Sequence, residues 1–95
     1  MMTVTTSSGF SCEVNEKAFR DFRTIRAYAK MSGKGPDTEK LEGAVALVNC
    51  ILRDNEDALY EHVEENGFVD PAKVFAELKE IMDALQEADA AVKKP

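Results

Sequence analysis

Tryptophan is absent, histidine occurs once and cysteine twice in the 95 residues. Each shortage removes a class of chemistry. A zinc site takes three or four N or S ligands, and one histidine, His62, cannot supply them. Cys12 and Cys50 stand 38 positions apart with no CxxC, which excludes the common metal and redox spacings. Both sit in apolar patterns and are expected as buried, inert thiols. No segment approaches the roughly 20 apolar residues that span a bilayer, and "MMTVTTSSGF" lacks the apolar run of a signal peptide. A cytoplasmic chain without membrane contact is therefore expected. Neither GxxxxGK[ST] nor GxGxxG is present, so "SGKGP" reads as a helix–helix connector rather than a phosphate cradle. The acidic run "DNEDALYEHVEE" carries Leu59 where a calcium loop requires its sixth-position glycine. Ser7, Ser8 and Ser11 cluster about a turn, with one histidine to serve any triad. These absences lead to the expectation of no enzyme activity, no metal and no cofactor.

Charge is plentiful but uneven. Residues 1–36 hold six basic and three acidic groups, net +3, whereas residues 37–90 hold four basic and fifteen acidic, net −11. An acidic body argues against nucleic acid as a partner, since phosphate binding depends on basic groups that release counterions. At 44% hydrophobic and 32% charged, the composition is that of a globular domain.

The pattern along the chain predicts a mainly α protein: a short N-terminal β-hairpin over residues 1–14, then about four helices over 15–90 in a small bundle, then a frayed tail at 91–95. All of it is expected to form one domain. Met2, Val4 and Thr6 alternate on one side, as do Phe10, Cys12 and Val14, and "SSG" at 7–9 supplies the turn. Asn15 is placed to cap the first helix, with Val14 and Phe19 at staple spacing and Phe22, Ile25 and Ala29 continuing an apolar stripe. A second helix opens at Asp37 or Thr38 and is apolar nearly all round, the mark of a helix buried among neighbours or shared with another subunit. A break is expected near Asp54–Asn55, and Gly67 is expected to end a short third helix in a left-handed conformation. Asp70 and Pro71 form a strong start for the last helix, with Val69 and Val74 at staple spacing. In the stretch between, His62 is expected to be solvated and within reach of Glu65 at i+3.

Two features suggest an interaction surface. Arg20, Arg23, Arg26 and Lys30 follow one side of the first helix, and an acidic surface would complement them. On the second helix, Val45, Val48 and Leu52 are expected to face the monomer core, leaving Leu47 and Ile51 to meet a neighbour. The expected partner-binding residues are thus Arg20, Arg23, Arg26, Leu47 and Ile51, in a concentration-dependent homo-oligomer whose contact is apolar and whose orientation is set by charge.

The order of these parts resembles the small tail assembly chaperones of long-tailed phages and prophages, especially of Gram-positive hosts. The likeness lies in a hairpin with "SGF", an opening helix with "DF", an apolar middle helix, and above all "ILRDNEDALYEHVEENGFVDPAKVFAELKEIMDAL", with its "LY.HV...G.V....V...L.EI" run. It spans about residues 2–85. The resemblance implies a helical, non-catalytic protein that coats the tape-measure protein and helps recruit tail-tube subunits, in some cases with a longer frameshifted form. The first helix of such proteins is often acidic, whereas "FRDFRTIRAYAK" is basic, so the resemblance leaves partner polarity open. A small host-encoded helical adaptor or regulatory protein is the alternative reading.

Overall fold

Alternating residues at the N-terminus do form a hairpin. In the computed structural model, which describes residues 1–93, strand β1 (Met2–Thr5) pairs antiparallel with β2 (Ser11–Val14), Val4 opposite Cys12 and Met2 opposite Val14. Thr6 N–H donates to Phe10 C=O (2.8 Å), and Gly9 turns the chain at φ 95°, a conformation that a side chain disfavours. Period-two spacing sends Val4, Phe10, Cys12 and Val14 inward, while Thr5 and Ser11 bond each other outside at 2.7 Å. Two strands alone are marginal. This pair lies against the C-terminal helix and the end of the second helix, which close its apolar face.

A 3₁₀ turn (Ala18–Arg20) precedes α1 (Phe22–Ser32). Asn15 caps neither element, accepting from Lys17 N–H at 2.9 Å in the loop ahead of that turn, and Asp21 caps α1 by accepting from Arg23 N–H at 2.8 Å. A good capping side chain six positions past Asn15 splits one predicted helix in two. The split rotates α1, so its buried line is Thr24, Ala27 and Met31, and Phe22 and Ile25 of the predicted stripe are exposed.

Helix α2 (Asp37–Leu47) continues as a π-helical turn (Val48–Leu52) and ends at Arg53, whose φ is 46°. The break expected near Asp54–Asn55 therefore begins one residue earlier. A 3₁₀ turn (Arg53–Asn55) leads into α3 (Glu56–Val63). Gly67 is not the cap of α3. Glu65 and Phe68 exchange both backbone hydrogen bonds (2.8 and 3.0 Å) around Asn66 (φ 55°) and Gly67 (φ 83°). Two successive positive φ values make this the tight turn that Asn-Gly favours. Helix α4 (Pro71–Lys93) starts as predicted, with Asp70 accepting from Ala72 N–H at 2.9 Å. It runs past the expected limit at residue 90, and residues 94 and 95 of the expected frayed tail lie outside the described residues.

One apolar cluster joins the parts: Val14 from the hairpin, Leu47, Val48 and Leu52 from the second helix and its π turn, Leu59 from α3, and Leu78, Ile81, Met82 and Leu85 from α4. Each fully buried aliphatic side chain contributes about 1.5–3 kcal/mol relative to exposure. Among the described residues, no helix is long and apolar enough to cross a membrane.

Candidate partner-binding surface

Helices α1 and α2 run antiparallel, with Lys30 near Glu42 (3.8 Å) at one end and Arg23 beside Asn49 at the other. They touch through Gly43, where an added Cβ would stand 2.5 Å from Met31 N and 2.7 Å from Ala27 O. This contact fixes the rotation of α2. Gly43, Ala44, Leu47 and Val48 turn inward, and Leu41 and Val45, one turn apart, face outward with about half their surface accessible (48% and 50%).

The expected partner residues on the second helix are thereby corrected. Leu47 is 0% exposed and Ile51 5%, so both belong to the monomer core, and Val45, assigned to that core, is on the surface. Val48 and Leu52 are buried as expected. Arg20 is also displaced from the predicted basic stripe. It lies in the 3₁₀ turn before α1, and its Nε donates to Asp89 of α4 at 2.8 Å. Arg23 and Arg26 do come together, over a shallow trough between α1 and α2 with Lys30, Ala46, Asn49 and Cys50.

Leu41 and Val45 open onto a second groove, walled on its far side by Val69, Pro71 and Phe75 and floored by Ala44, Val48 and Val74. The Asp70 cap places Val69 and Pro71 at this edge. Tyr60 of α3 closes one end, with its hydroxyl donating to Glu56 Oε2 at 2.8 Å. Burial, together with Glu56, pushes the Tyr60 phenol up to about 12, so the wall stays neutral across the physiological range. The groove encloses about 160 Å³, below the ~300–1,000 Å³ of small-molecule sites. Leu41, Val45, Val69 and Phe75 were not singled out from the sequence as binding residues.

His62 is not paired with Glu65, which instead accepts from Lys73 and is held below the usual carboxylate range by that bond. The imidazole packs on Phe10 (ring centroids 5.5 Å apart), and Nε2 lies 3.0 Å from Ser8 Oγ and 3.9 Å from Glu77 Oε1. Ser8 Oγ also donates to Glu77, which is only 3% exposed. A serine, a histidine and an acid thus meet where the hairpin turn crosses α3 and α4. In a catalytic relay the acid holds the ring nitrogen opposite the one facing serine. Here serine and acid share Nε2, so Glu77 cannot orient the ring as a base for Ser8. Ser7 adds a second clamp, its amide and hydroxyl donating to the two oxygens of Glu80, each at 2.9 Å. This polar group fastens the hairpin turn to the helices. Burial, and then the charge of Glu77, raise the Cys12 thiol and keep it protonated. Among the described residues, no three His, Cys, Asp or Glu side chains gather as a metal-binding group.

Fold and surface together define a small, mainly α protein with an apolar groove between α2 and the start of α4. Comparison of the chain with protein-family models, with curated proteins and with solved structures gives no match.

Proposed function

We propose that this protein is a non-catalytic tail assembly chaperone of a long-tailed phage or prophage, acting in the host cytoplasm by binding the tape-measure protein and recruiting tail-tube subunits. The observation that carries the reading is the apolar groove bordered by Leu41, Val45, Val69 and Phe75. A long helical partner exposes apolar stripes, and a protein that keeps it in solution must offer apolar surface while remaining charged itself. This chain combines that groove with a net charge of −6. The likeness of the Ile51–Leu85 stretch to tail assembly chaperones supplies the partner's identity. The polar group at His62 supports a non-catalytic role, because its geometry serves docking of the hairpin and lacks an oriented base.

Co-expression with the tape-measure protein of a long-tailed phage whose tail genes encode this chain tests the proposal. The tape-measure protein should move from the insoluble to the soluble fraction and co-purify with this chain, and Val45→Glu should abolish both effects while leaving the helical signal intact. A tape-measure protein that stays insoluble with the wild-type chain, or a Val45→Glu variant that solubilises it equally well, would overturn the reading.

A further inference from the structure

The outer surface of α2 has two unlike borders. Towards α4 lies the apolar groove behind Leu41 and Val45. Towards α1 lies the trough carrying Arg23, Arg26 and Lys30. Only one narrow stripe, Glu42, Ala46 and Asn49, separates them, and Glu42 is already opposed by Lys30 at 3.8 Å. We propose that α2 is the floor of one composite site for a single amphipathic helix, which sets an apolar edge over Leu41 and Val45 and an acidic edge against Arg23 and Arg26.

Size permits a single occupant. Packed helices lie about 8–10 Å apart and are about 10–12 Å across. A helix seated on α2 therefore spans neighbouring stripes that are roughly 100° apart around it. The cations are available. Arg23 holds only its own cap, Asp21, at 3.5 Å and is 83% exposed, and Arg26 has no ion pair among the described residues. Their sign also runs against the rest of the molecule, since residues 37–90 carry net −11. An acidic helix is repelled by most of this surface and attracted at the trough, so charge sets its orientation while apolar contact holds it.

A second copy of this chain suits the site less well than a helix with a continuous acidic edge. Among the described residues, its exposed large apolar side chains on helices are Phe22 and Ile25, which adjoin the arginines of α1, and Leu41 and Val45 themselves. The acidic side chains of α4, Glu80, Asp83 and Glu87, stand on a helix whose Leu78, Ile81, Met82 and Leu85 are turned inward. Only α2 itself, among the described helices, sets exposed apolar side chains, Leu41 and Val45, beside exposed acids, Asp37 and Glu42, and Glu42 already faces Lys30 at 3.8 Å. The inference deepens the chaperone reading by stating the charge of the helix bound, and rests on that reading only for the helix belonging to a tape-measure protein.

The test uses two synthetic helices of roughly 20 residues with the same leucine face, one edged with glutamate and one with lysine. Binding of each to the full chain is followed by fluorescence anisotropy, with circular dichroism and sedimentation to monitor folding and self-association. At low salt the glutamate-edged helix should bind about tenfold or more tighter, and the difference should shrink towards ~0.5 M NaCl as screening grows. Arg23→Glu with Arg26→Glu should reverse the preference, and Val45→Glu should weaken both peptides. Equal binding of the two peptides, a preference untouched by the arginine reversals, or a chain whose α2 face is already covered by a second copy would overturn the inference. If the glutamate-edged helix binds as stated but the tape-measure protein is not recovered, the assembly reading fails and the composite site stands. If the tape-measure protein is recovered and the arginine reversals change nothing, the composite site fails and the assembly reading stands.

Discussion

Gly43 of α2 lies so close to Met31 of α1 that a Cβ built on it would be 2.5 Å from the Met31 amide nitrogen. Backbone cannot move aside as the end of a side chain can. Gly43→Ala should therefore force α1 away from α2 and destabilise the fold by about 1–3 kcal/mol, as overpacking does, despite the better helix propensity of alanine. Urea unfolding measures it. An unchanged or raised midpoint would mean that the two helices are not in such close contact.

Leu47 and Val45 should respond in opposite ways. Leu47→Ala should cost about 2–5 kcal/mol as a buried cavity, and Leu47→Glu should unfold the chain rather than dissociate an oligomer. Val45→Ala should stay within about 0.5 kcal/mol of wild type, as surface changes do. Thermal unfolding of the three variants decides between this placement and its reverse.

Tyr60 gives stability a dependence on alkaline pH. Its folded pKa is raised to about 12, above the unfolded value of about 10. The neutral phenol is favoured by folding, so this contribution is complete below about pH 10 and is lost as pH rises through the folded value. Tyr60→Phe should remove that part of the alkaline slope. A matched slope in wild type and variant between about pH 10 and 12 would show that Tyr60 ionises as freely folded as unfolded.

Arg20 should act on the far end of the molecule. Its Nε donates to the buried Asp89 carboxylate at 2.8 Å, joining the turn before α1 to the later part of α4. Arg20→Ala should lower stability by about 1–3 kcal/mol, and amide exchange should quicken mainly in the last turns of α4. Protection unchanged there would detach Arg20 from any structural role.

Where local chemistry left one choice, the sequence was enough to determine the structure. Period-two residues and Ser-Ser-Gly made the hairpin, and Asp70–Pro71 set the start of α4, because caps and turns depend on neighbouring atoms only. Asn66–Gly67 carried an equally local turn signal, but its reading as a helix cap was mistaken, since a glycine at positive φ serves both structures. The break between the first two helical segments was likewise decided by Asp21, which caps α1 in place of Asn15. The facing of α2 lay beyond local reasoning. Ala44, Leu47, Val48, Ile51 and Leu52 fit one inward helical stripe, Val45, Val48 and Leu52 fit another, and both are apolar. Only the close approach of α1 at Gly43 separates them, by admitting a residue without a side chain and turning Val45 out. The surroundings of His62 were equally non-local. Ser8 and Glu77 reach it from 54 positions before and 15 positions after in the chain, and no spacing within one helix encodes that meeting. The sequence by itself determined the hairpin and the start of α4, because those follow from short-range hydrogen bonding and sterics. The tertiary structure alone decided which side of α2 is core and which is open to a partner, because that depends on how closely two backbones can pack.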